Sequence, residues 1–338
     1  MQKIAMTSNG EISNEAHVTE ARARSAQDVA ASAVAAPTLM TPKVLIPFVI
    51  VTLIWGSTWF VIRDGLGEVP VVWSVTYRFV IASLGMAALL LWRKESLALD
   101  RQGWMLALFI GFAQFVVNYN FVYEAERYIT SGLVAVVFAL LIIPNALLSK
   151  LVVKSHLSRA FLTGAAIAIL GVALLLIHEY RTAEALGGLA GGGAVIKGIG
   201  FTLVAVLAAS TSNVVQQFES ARRQNVFALV GWSMAIGAVM DGLFALLTVG
   251  PPPIPHDLRY WAGVSYLALA GSTLTFPLYY GIIRAVGAGP AAWSSVLIPV
   301  IAMLISTLLE GYVWTPLAIA GSLLVAVGLI LAVRGKSA

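Results

Sequence analysis

The chain of 338 residues has no cysteine, few charged residues and only four histidines. Without cysteine, it has no disulfides, no thiolate chemistry and no cysteine-ligated metal site. Charged residues make up 11% of the chain, whereas soluble domains carry about 25%. The histidines fall in the N-terminal segment or in predicted loops, so the apolar segments lack an imidazole for a metal site or proton relay. We therefore predict no metal, no cofactor and no catalytic residue. The histidines are His17, His156, His178 and His256.

Long apolar segments are what the chain does have, with 59% hydrophobic residues and a mean hydropathy of +0.88. About 20 helical residues cross a hydrocarbon core about 30 Å thick. The segments are unbroken rather than alternating, which indicates helices and not barrel strands. The sequence predicts an all-α integral membrane protein with ten transmembrane helices. They cover residues 44–62, 72–92, 104–123, 129–148, 160–177, 198–217, 226–248, 260–283, 288–309 and 314–333.

The basic residues report on topology. The net charge is +5, but Lys and Arg lie singly or in small groups between the apolar segments and form no patch. Nucleic acid is therefore not a predicted partner. An inside N-terminus puts most of them in inner loops, which predicts that both termini are cytoplasmic. The inner set is Lys43, Arg93, Lys94, Arg101, Lys150, Lys154, Arg159, Arg222, Arg223, Arg284, Arg334 and Lys336; the outer set is Arg63, Arg127, Arg181, Lys197 and Arg259.

Two segments outside the apolar runs have distinctive compositions. Residues 1–42 are polar and rich in Ala and Ser, which predicts a disordered cytoplasmic tail. Their run 30–36 is too short for a signal-peptide core, so the first membrane helix is expected to be uncleaved. Residues 179–196 contain a glycine-rich stretch, 187–193, and are predicted to form a flexible external linker.

The two halves of the chain repeat one another at a shift of 157 residues. The first repeat covers 43–178 and the second 197–335, each with five predicted crossings. Because five is odd, the second half must enter the membrane inverted, and such repeats hold substrate near the midplane and work by alternating access. The first and sixth helices fit at shifts of 158 or 154, and both registers stay open. Matched pairs include Trp104 with Trp261, Tyr123 with Tyr280, Gly164 with Gly321 and Gly171 with Gly328.

Polar and aromatic side chains share faces of several predicted helices. Thr52, Trp55 and Trp59 are spaced i, i+3 and i+7 on the first helix, and the sixth helix repeats that spacing. Amides, hydroxyls and indoles suit a neutral or zwitterionic solute with an apolar or aromatic side chain. The alternative is that they hold helices together. The candidate substrate-binding residues are Trp55, Trp59, Arg78, Gln114, Asn118, Asn213, Gln217, Thr275, Tyr279 and Trp293.

Two charged residues lie within predicted spans. Arg78 is about 9 Å from the predicted outer end of the second helix. It is a candidate ligand for an amino-acid carboxylate; snorkelling to the interface and a structural ion pair are the alternatives. Asp241, in the seventh helix, is a candidate for ion coupling or for binding a substrate amine, with an ion pair or helix capping as alternatives.

Prolines and glycines mark other special positions within the spans. Pro144, Pro277 and Pro299 each remove a backbone donor and are hinge candidates, with a static kink as the alternative. Gly164 and Gly171 lie two turns apart on one face, as do their repeat partners, which predicts close helix packing.

Several of these motifs resemble a known family. Trp55-Gly56-Ser57, Tyr77-Arg78-Phe79, and Pro299 followed by Glu310 and by Gly321 through Gly328 are similar to the two-domain EamA-type members of the drug/metabolite transporter superfamily. The resemblance covers about residues 43–335. It implies a ten-helix exporter of the bacterial inner membrane, most like the aromatic and neutral amino-acid exporters. Two departures are Lys154-Ser155 where the second half has Glu310-Gly311, and the absence of a glutamate from 52–62.

Together these features predict a secondary transporter that exports small neutral and aromatic amino acids or related metabolites. A multidrug exporter is one alternative. A nucleotide-sugar or phosphorylated-metabolite transporter is another, but it needs several cations at the midplane. A membrane enzyme would need a nucleophile and base at depth, which the spans lack. The expected partners are a small-molecule substrate and the lipid bilayer, and a cavity between fused halves lets a monomer suffice.

Overall fold

A computed structural model describes residues 38–153, 157–187, 189–286, 291 and 293–336. In this part of the chain the backbone is almost entirely helical, with a four-residue helix, Glu219–Arg222, between two longer ones. The predicted tail up to residue 37, and Lys154-Ser155, lie outside the described residues. The long helices are α1 Pro42–Asp64, α2 Val71–Trp92, α3 Arg101–Glu126, α4 131–153, α5 Arg159–Gly187, α6 Leu189–Val215, α7 Val226–Thr248, α8 258–286, α9 Ser294–Leu309 and α10 Pro316–Lys336.

Eight helices of the described chain are long and apolar enough to cross a membrane. These are α1 to α7 and α10, and each falls on one of the predicted segments. The two remaining segments coincide with α8 and with the shorter apolar helix α9, which has 16 residues. The prediction of a helical membrane protein is therefore confirmed, whereas the count of ten crossings stays a prediction.

Polar residues fix where several of the helices begin. The Asp100 carboxylate accepts from the Gly103 amide at 2.6 Å and caps α3, and this bond lowers the pKa of Asp100 below its usual value. Asn225 caps α7 by accepting from the amides of residues 227 and 228. Asp257 caps α8 in the same way. Each cap stands immediately before an apolar segment, so these helix starts follow from local chemistry.

Helices α3 and α8 each contain a π-helical segment. The segments are Gly111–Asn118 and Leu269–Leu274, and the repeat shift of 157 carries one onto the other. In α8, the Ser272 hydroxyl donates to the carbonyl five residues earlier at 3.0 Å, and the Thr273 hydroxyl lies 3.2 Å from the carbonyl five residues earlier and 3.0 Å from the Ala82 carbonyl of α2. The irregular backbone is thus partly satisfied by side chains of the same segment.

Each hinge candidate lies within a helix. Pro144 follows the 3₁₀ segment Ala139–Leu141, and Pro277 follows the π segment of α8. Since a proline cannot bond the carbonyl four residues earlier, both irregular segments stand where that bond is lost. Pro299 is buried inside α9. That these prolines act as hinges stays a prediction.

Helices α5 and α10 pack backbone to backbone. A Cβ added to Gly164 would lie 2.6 Å from the Gly328 carbonyl oxygen, and one added to Gly171 would lie 2.7 Å from that of Gly321. The order of these contacts makes the two helices antiparallel. The predicted close packing through glycine is therefore confirmed.

The other packing partnerships form a regular pattern. Helix α1 packs against α8 and α9, and α6 packs against α3 and α4. Helices α2 and α7 are antiparallel, because Gly231 meets Met86 while Gly242 meets Thr76. The pattern is symmetric between the two halves. If each helix is replaced by the one five places earlier or later, the contacts of α1 with α8 and α9 become those of α6 with α3 and α4.

Two features differ from the sequence-based expectations. Helix α5 continues to Gly187 and α6 begins at Leu189, so the predicted flexible linker is helical in its described residues, and Gly188 lies outside them. Near this junction α5 and α6 approach each other closely, and Gly192 allows it, since an added Cβ there would lie 2.5 Å from the Tyr180 ring. His178 lies in α5 and not in a loop; it is buried, with its ring nitrogen 3.1 Å from the Thr315 hydroxyl.

Candidate functional site

Arg78 on α2 is the centre of the candidate site. Its side chain is 2% exposed, so the snorkelling alternative is wrong. Its guanidinium donates to the Ser272 hydroxyl of α8, with Nε and Nη2 at 3.4 and 3.3 Å, and to the Tyr123 hydroxyl of α3 at 3.4 Å. The guanidinium carbon lies 4.5 Å from the Tyr119 ring centroid, a cation–π contact. Arg78 thus joins one helix of the second half to two of the first.

The guanidinium is held by weak contacts. Its three hydrogen bonds exceed the usual 2.7–3.2 Å range for N–H donors. The ion pairs of the described residues lie elsewhere, and none brings a carboxylate within 4.0 Å of Arg78. The ion-pair alternative with Asp241 is not realised, since Asp241 accepts from Asn120 instead. A buried cation in this setting is favourably placed to bind an anionic group.

A series of aromatic contacts leads from Arg78 to the predicted pocket. Tyr119 packs on Phe79 at 4.7 Å between ring centroids, and the last pair of the series is Trp55 with Tyr279 at 5.0 Å. Trp55 also donates to the Gly271 carbonyl at 3.2 Å, which ties α1 to the π segment of α8. Two of the predicted site residues, Trp55 and Tyr279, are therefore in direct contact, and the intervening rings connect them to a third, Arg78. Between the two ends, the contacts run from Phe79 to Phe115 at 4.8 Å, Phe115 to Phe276 at 5.9 Å and Phe276 to Trp55 at 5.7 Å.

Three indoles lie where hydrophobic clusters meet. Trp59 packs against the cluster around α4, α5 and α10 and against the one around α2, α3 and α7. Trp55 and Trp293 each join one of these to a small third cluster that contains Phe48 and Ile282. All three indoles stay partly exposed, unlike the side chains at the cluster centres. They mark the region in which the separately packed parts of the molecule adjoin.

Two polar atoms in this region have no hydrogen-bond partner among the described residues. They are the indole nitrogen of Trp59 and the hydroxyl of Thr275, and both are buried. Trp59 also packs on Phe138 of α4 at 5.2 Å. An unpaired buried polar atom is costly, so both atoms have hydrogen-bonding capacity that the described residues leave unused.

Two of the four predicted amides, Asn118 and Gln217, make contacts between helices. Asn118 is buried, donates to the Ala205 carbonyl at 2.9 Å and accepts from Gln114 at 3.1 Å. Gln217 donates to the Ser149 hydroxyl at 2.9 Å, and Asn213 is half-buried. These are the contacts that the alternative interpretation predicts, in which amides hold α6 against α3 and α4.

A small cavity approaches Arg78 from the predicted outer end. It has a volume of about 110 Å³, and Ser74, Tyr123, Tyr260 and Leu267 contribute to its wall. Tyr123 also accepts the hydrogen bond from Arg78, so this side chain touches both the cavity and the guanidinium. The phenol therefore lies on a short route between the cavity and the buried charge.

Several residues of this site were missed by the sequence analysis. Tyr119 and Tyr123 are one turn apart on α3, and that spacing, set beside Arg78, was the available signal. Glu126 was missed because the third helix was predicted to end at 123, whereas α3 reaches residue 126. Its carboxylate oxygens are buried without a hydrogen-bond partner in the described chain.

Comparison with known families gives a match in each half. The model of the EamA-like transporter family matches residues 43–177 and again 196–334. The chain belongs to the EamA-like transporter family. This membership indicates a membrane transporter and not an enzyme.

Individual relatives agree with this assignment. The chain is 26% identical over 293 residues to a probable amino-acid metabolite efflux pump of Salmonella typhimurium, covering 84% of this chain and 93% of that protein. It is 29% identical over 263 residues to YedA, an uncharacterised inner membrane transporter of Escherichia coli K12, covering 77% and 80%. One crystal structure matches with a TM-score of 0.63 at 19% identity, over 86% of this chain and 97% of the other. That last likeness supports the fold alone.

Proposed function

We propose that this transporter exports small neutral and aromatic amino acids or related metabolites across the bacterial inner membrane by alternating access. The observation that carries the proposal is the buried guanidinium of Arg78, which has weak hydrogen bonds and no carboxylate within 4.0 Å in the described chain. The similarity to a probable amino-acid metabolite efflux pump supports the same substrate class.

The substrate carboxylate binds Arg78. A guanidinium presents donors in a planar fork that matches a carboxylate, so the substrate replaces the long bonds to Ser272 and Tyr123 with shorter ones. The amino-acid side chain then lies along the aromatic series toward Trp55 and Tyr279. Aromatic walls favour apolar and flat side chains over charged ones. Trp59, Thr275 and Trp293 complete the pocket on the side of α4 and α9.

The transport cycle uses two inverted five-helix repeats with ten crossings. Support comes from the antiparallel pairs α2 with α7 and α5 with α10, whose members are five helices apart. The matching π segments of α3 and α8 support it as well. Arg78 contacts Ser272 within the segment of α8 and Tyr119 immediately after the segment of α3. In inverted repeats irregular helices of this kind line the substrate site. Because the site lies within one chain, a monomer completes the cycle.

The charge of Arg78 separates this proposal from the alternatives. A cationic drug would be repelled by the guanidinium. A phosphorylated metabolite would need further cations beside it. The groups that contact the Arg78 guanidinium through their faces are the aromatic rings of Tyr119 and Phe79, which are uncharged.

The test is counterflow in proteoliposomes that contain the full chain. Vesicles are loaded with an unlabelled amino acid, and entry of labelled phenylalanine, tyrosine, leucine or threonine is followed for the native protein and for Arg78→Gln. We expect saturable exchange that Arg78→Gln lowers by about tenfold or more, since hydrogen bonds to charged groups contribute about 1.5–3 kcal/mol. Two further variants are measured in the same assay. Trp59→Ala tests whether exchange needs the aromatic wall, and Gln217→Ala tests whether it needs the contact between Gln217 and Ser149.

The matched control is Arg127→Gln, which removes an exposed arginine at the end of α3 that pairs with Glu124. It should exchange substrate like the native protein. An absence of exchange for every amino acid, with folding verified, would refute the substrate class and direct the search to drugs and phosphorylated metabolites.

A further inference from the structure

Asp241 of α7 and Asn120 of α3 form a buried pair outside the Arg78 site. The Asn120 side-chain nitrogen donates to Asp241 Oδ1 at 2.8 Å and to the Val116 carbonyl at 2.9 Å. Asp241 is 0% exposed. Its second oxygen, Oδ2, and the Asn120 side-chain oxygen, Oδ1, are both buried and have no hydrogen-bond partner among the described residues. The pair thus has two unpaired acceptor oxygens and no donor hydrogen between them.

The surroundings of Asp241 do not supply that donor. No ion pair of the described residues includes Asp241. Arg78 on α2 donates to Ser272 and Tyr123 instead. Among the side chains that the structure describes, the titratable or charged ones on the elements packed against α7 are Tyr77 and Arg78 on α2; Arg101, Tyr119, Tyr123, Glu124 and Glu126 on α3; and Arg259, Tyr260, Tyr266, Tyr279 and Tyr280 on α8.

We propose that Asp241 and Asn120 form a proton-binding site that couples export to proton entry. A proton on Asp241 Oδ2 donates to Asn120 Oδ1 and closes an acid–amide ring, in which each side chain donates once and accepts once. One proton therefore satisfies both unpaired oxygens. A sodium ion would need about six oxygen ligands, as hard cations do, and the Val116 carbonyl is already engaged by Asn120.

The proton site and the substrate site share helix α3. Tyr119 and Tyr123 of this helix contact Arg78, while Asn120, on another face, contacts Asp241. Displacement of α3 when substrate leaves Arg78 therefore also alters the Asn120–Asp241 ring. Opened to water on the inner side, Asp241 releases its proton; on the outer side it takes one up. This coupling rests on the proposed export function, whereas proton binding itself does not.

Infrared spectroscopy of the purified full chain in vesicles tests the proton directly. We expect the native-minus-Asp241→Asn difference spectrum to show the carbonyl band of a protonated carboxylic acid, since the buried Glu126 carboxyl is common to both proteins and cancels. The control Asp64→Asn removes an exposed carboxylate that pairs with Arg259 and should leave the band in place. Asn120→Leu keeps the acid but removes its acceptor, so the band should shift. A difference spectrum without this band would overturn the proposal, and Asn120→Leu still tests it if Asp241→Asn does not fold.

Transport assays then test the coupling. An inward proton gradient, with the membrane voltage clamped, should accelerate efflux from native vesicles, and Asp241→Asn should lose this acceleration while retaining counterflow. Acceleration by a sodium gradient instead, or by neither gradient while counterflow persists, overturns proton coupling and leaves the proposed function intact. Absence of counterflow in the native protein refutes the proposed function, and the infrared band still decides whether Asp241 holds a proton.

Discussion

The two halves of the chain meet in two very different ways. Between α5 and α10, glycines let the backbones touch, so that even a single added Cβ would collide with main-chain atoms. At Arg78, the halves meet through long hydrogen bonds to Ser272 and through aromatic rings. The first interface has one arrangement, because backbone atoms cannot yield. The second has polar groups that gain by exchanging their present partners for better ones.

This difference bears on which parts move in a transport cycle. The α5–α10 contact extends over two helical turns, from Gly164 with Gly328 to Gly171 with Gly321. A pair packed so closely moves as one body, since sliding would force backbone atoms together. We therefore expect the rearrangement to occur along the aromatic and Arg78 contacts, which side-chain rotation can remake.

The largest effect should come from filling the glycine interface. In Gly328→Val the new Cβ would lie 2.3 Å from the Ala168 amide nitrogen, and backbone cannot move aside as a side chain does. We expect a loss of about 3 kcal/mol or more, the upper end of the usual cost of overpacking. The thermal midpoint of the purified protein and the yield of folded protein measure it.

Gly200→Val is the matched control for that substitution. Gly200 is an exposed helical glycine on α6, and an added Cβ would meet no atom within 4 Å. Its thermal midpoint should stay close to that of the native protein. Equal losses in the two variants would mean that valine in a helix, and not the α5–α10 contact, causes the instability.

A smaller effect of opposite sign is expected at Arg78. Replacing the buried guanidinium by methionine removes a poorly paired charge and keeps most of the apolar stem. We expect Arg78→Met to be as stable as the native protein, or more stable by about 1–3 kcal/mol, as with other buried charges replaced by apolar groups. Thermal unfolding without ligand measures this change.

The same variant should lose its response to ligand. Saturating amino acid raises the thermal midpoint of a protein that binds it in the folded state, and Arg78→Met should show no such rise. Destabilisation of Arg78→Met by several kcal/mol would instead make Arg78 a structural residue. The contrast between a rigid interface and a ligand-dependent one would then fail.

The sequence was most informative where a pattern repeats along one helix. Hydropathy located the helices, and the seven-residue glycine spacing predicted a close-packing face on α5 and on α10, because both depend on the geometry of single helices. That these two faces meet each other was not predicted. His178 was misplaced because polar residues at the end of α5 resemble a loop, although the helix continues and Thr315 bonds the imidazole.

The site was harder to predict because its contacts join distant parts of the chain. Arg78 was recognised as a candidate, but its partners Tyr123 and Ser272 lie 45 and 194 residues away. Which faces meet depends on how each helix rotates about its axis, and apolar membrane helices have weak amphipathicity to indicate it. Asp241 was likewise recognised as a candidate, but its partner Asn120, 121 residues away, was missed for the same reason.

The smallest effect is expected at the rim, where Asp64 of α1 pairs with Arg259 of α8. The pair also joins the two halves, with Arg259 Nε and Nη2 at 3.0 and 2.6 Å from the carboxylate oxygens. The Arg259 side chain is 73% exposed, however, so solvent and salt screen the attraction. A double-mutant cycle with Asp64→Asn and Arg259→Gln, measured by thermal unfolding, should give a coupling below about 1 kcal/mol that shrinks as salt is added.

A coupling above about 2 kcal/mol, insensitive to salt, would change the comparison between the two interfaces. The rim would then be a fixed contact like α5–α10, and opening the cavity beside Tyr123 would require breaking it in every cycle. Weak, screened coupling agrees instead with a rim that separates readily. In that case the energy that opposes opening comes from the aromatic and Arg78 contacts beneath, which are the contacts that a bound carboxylate remakes.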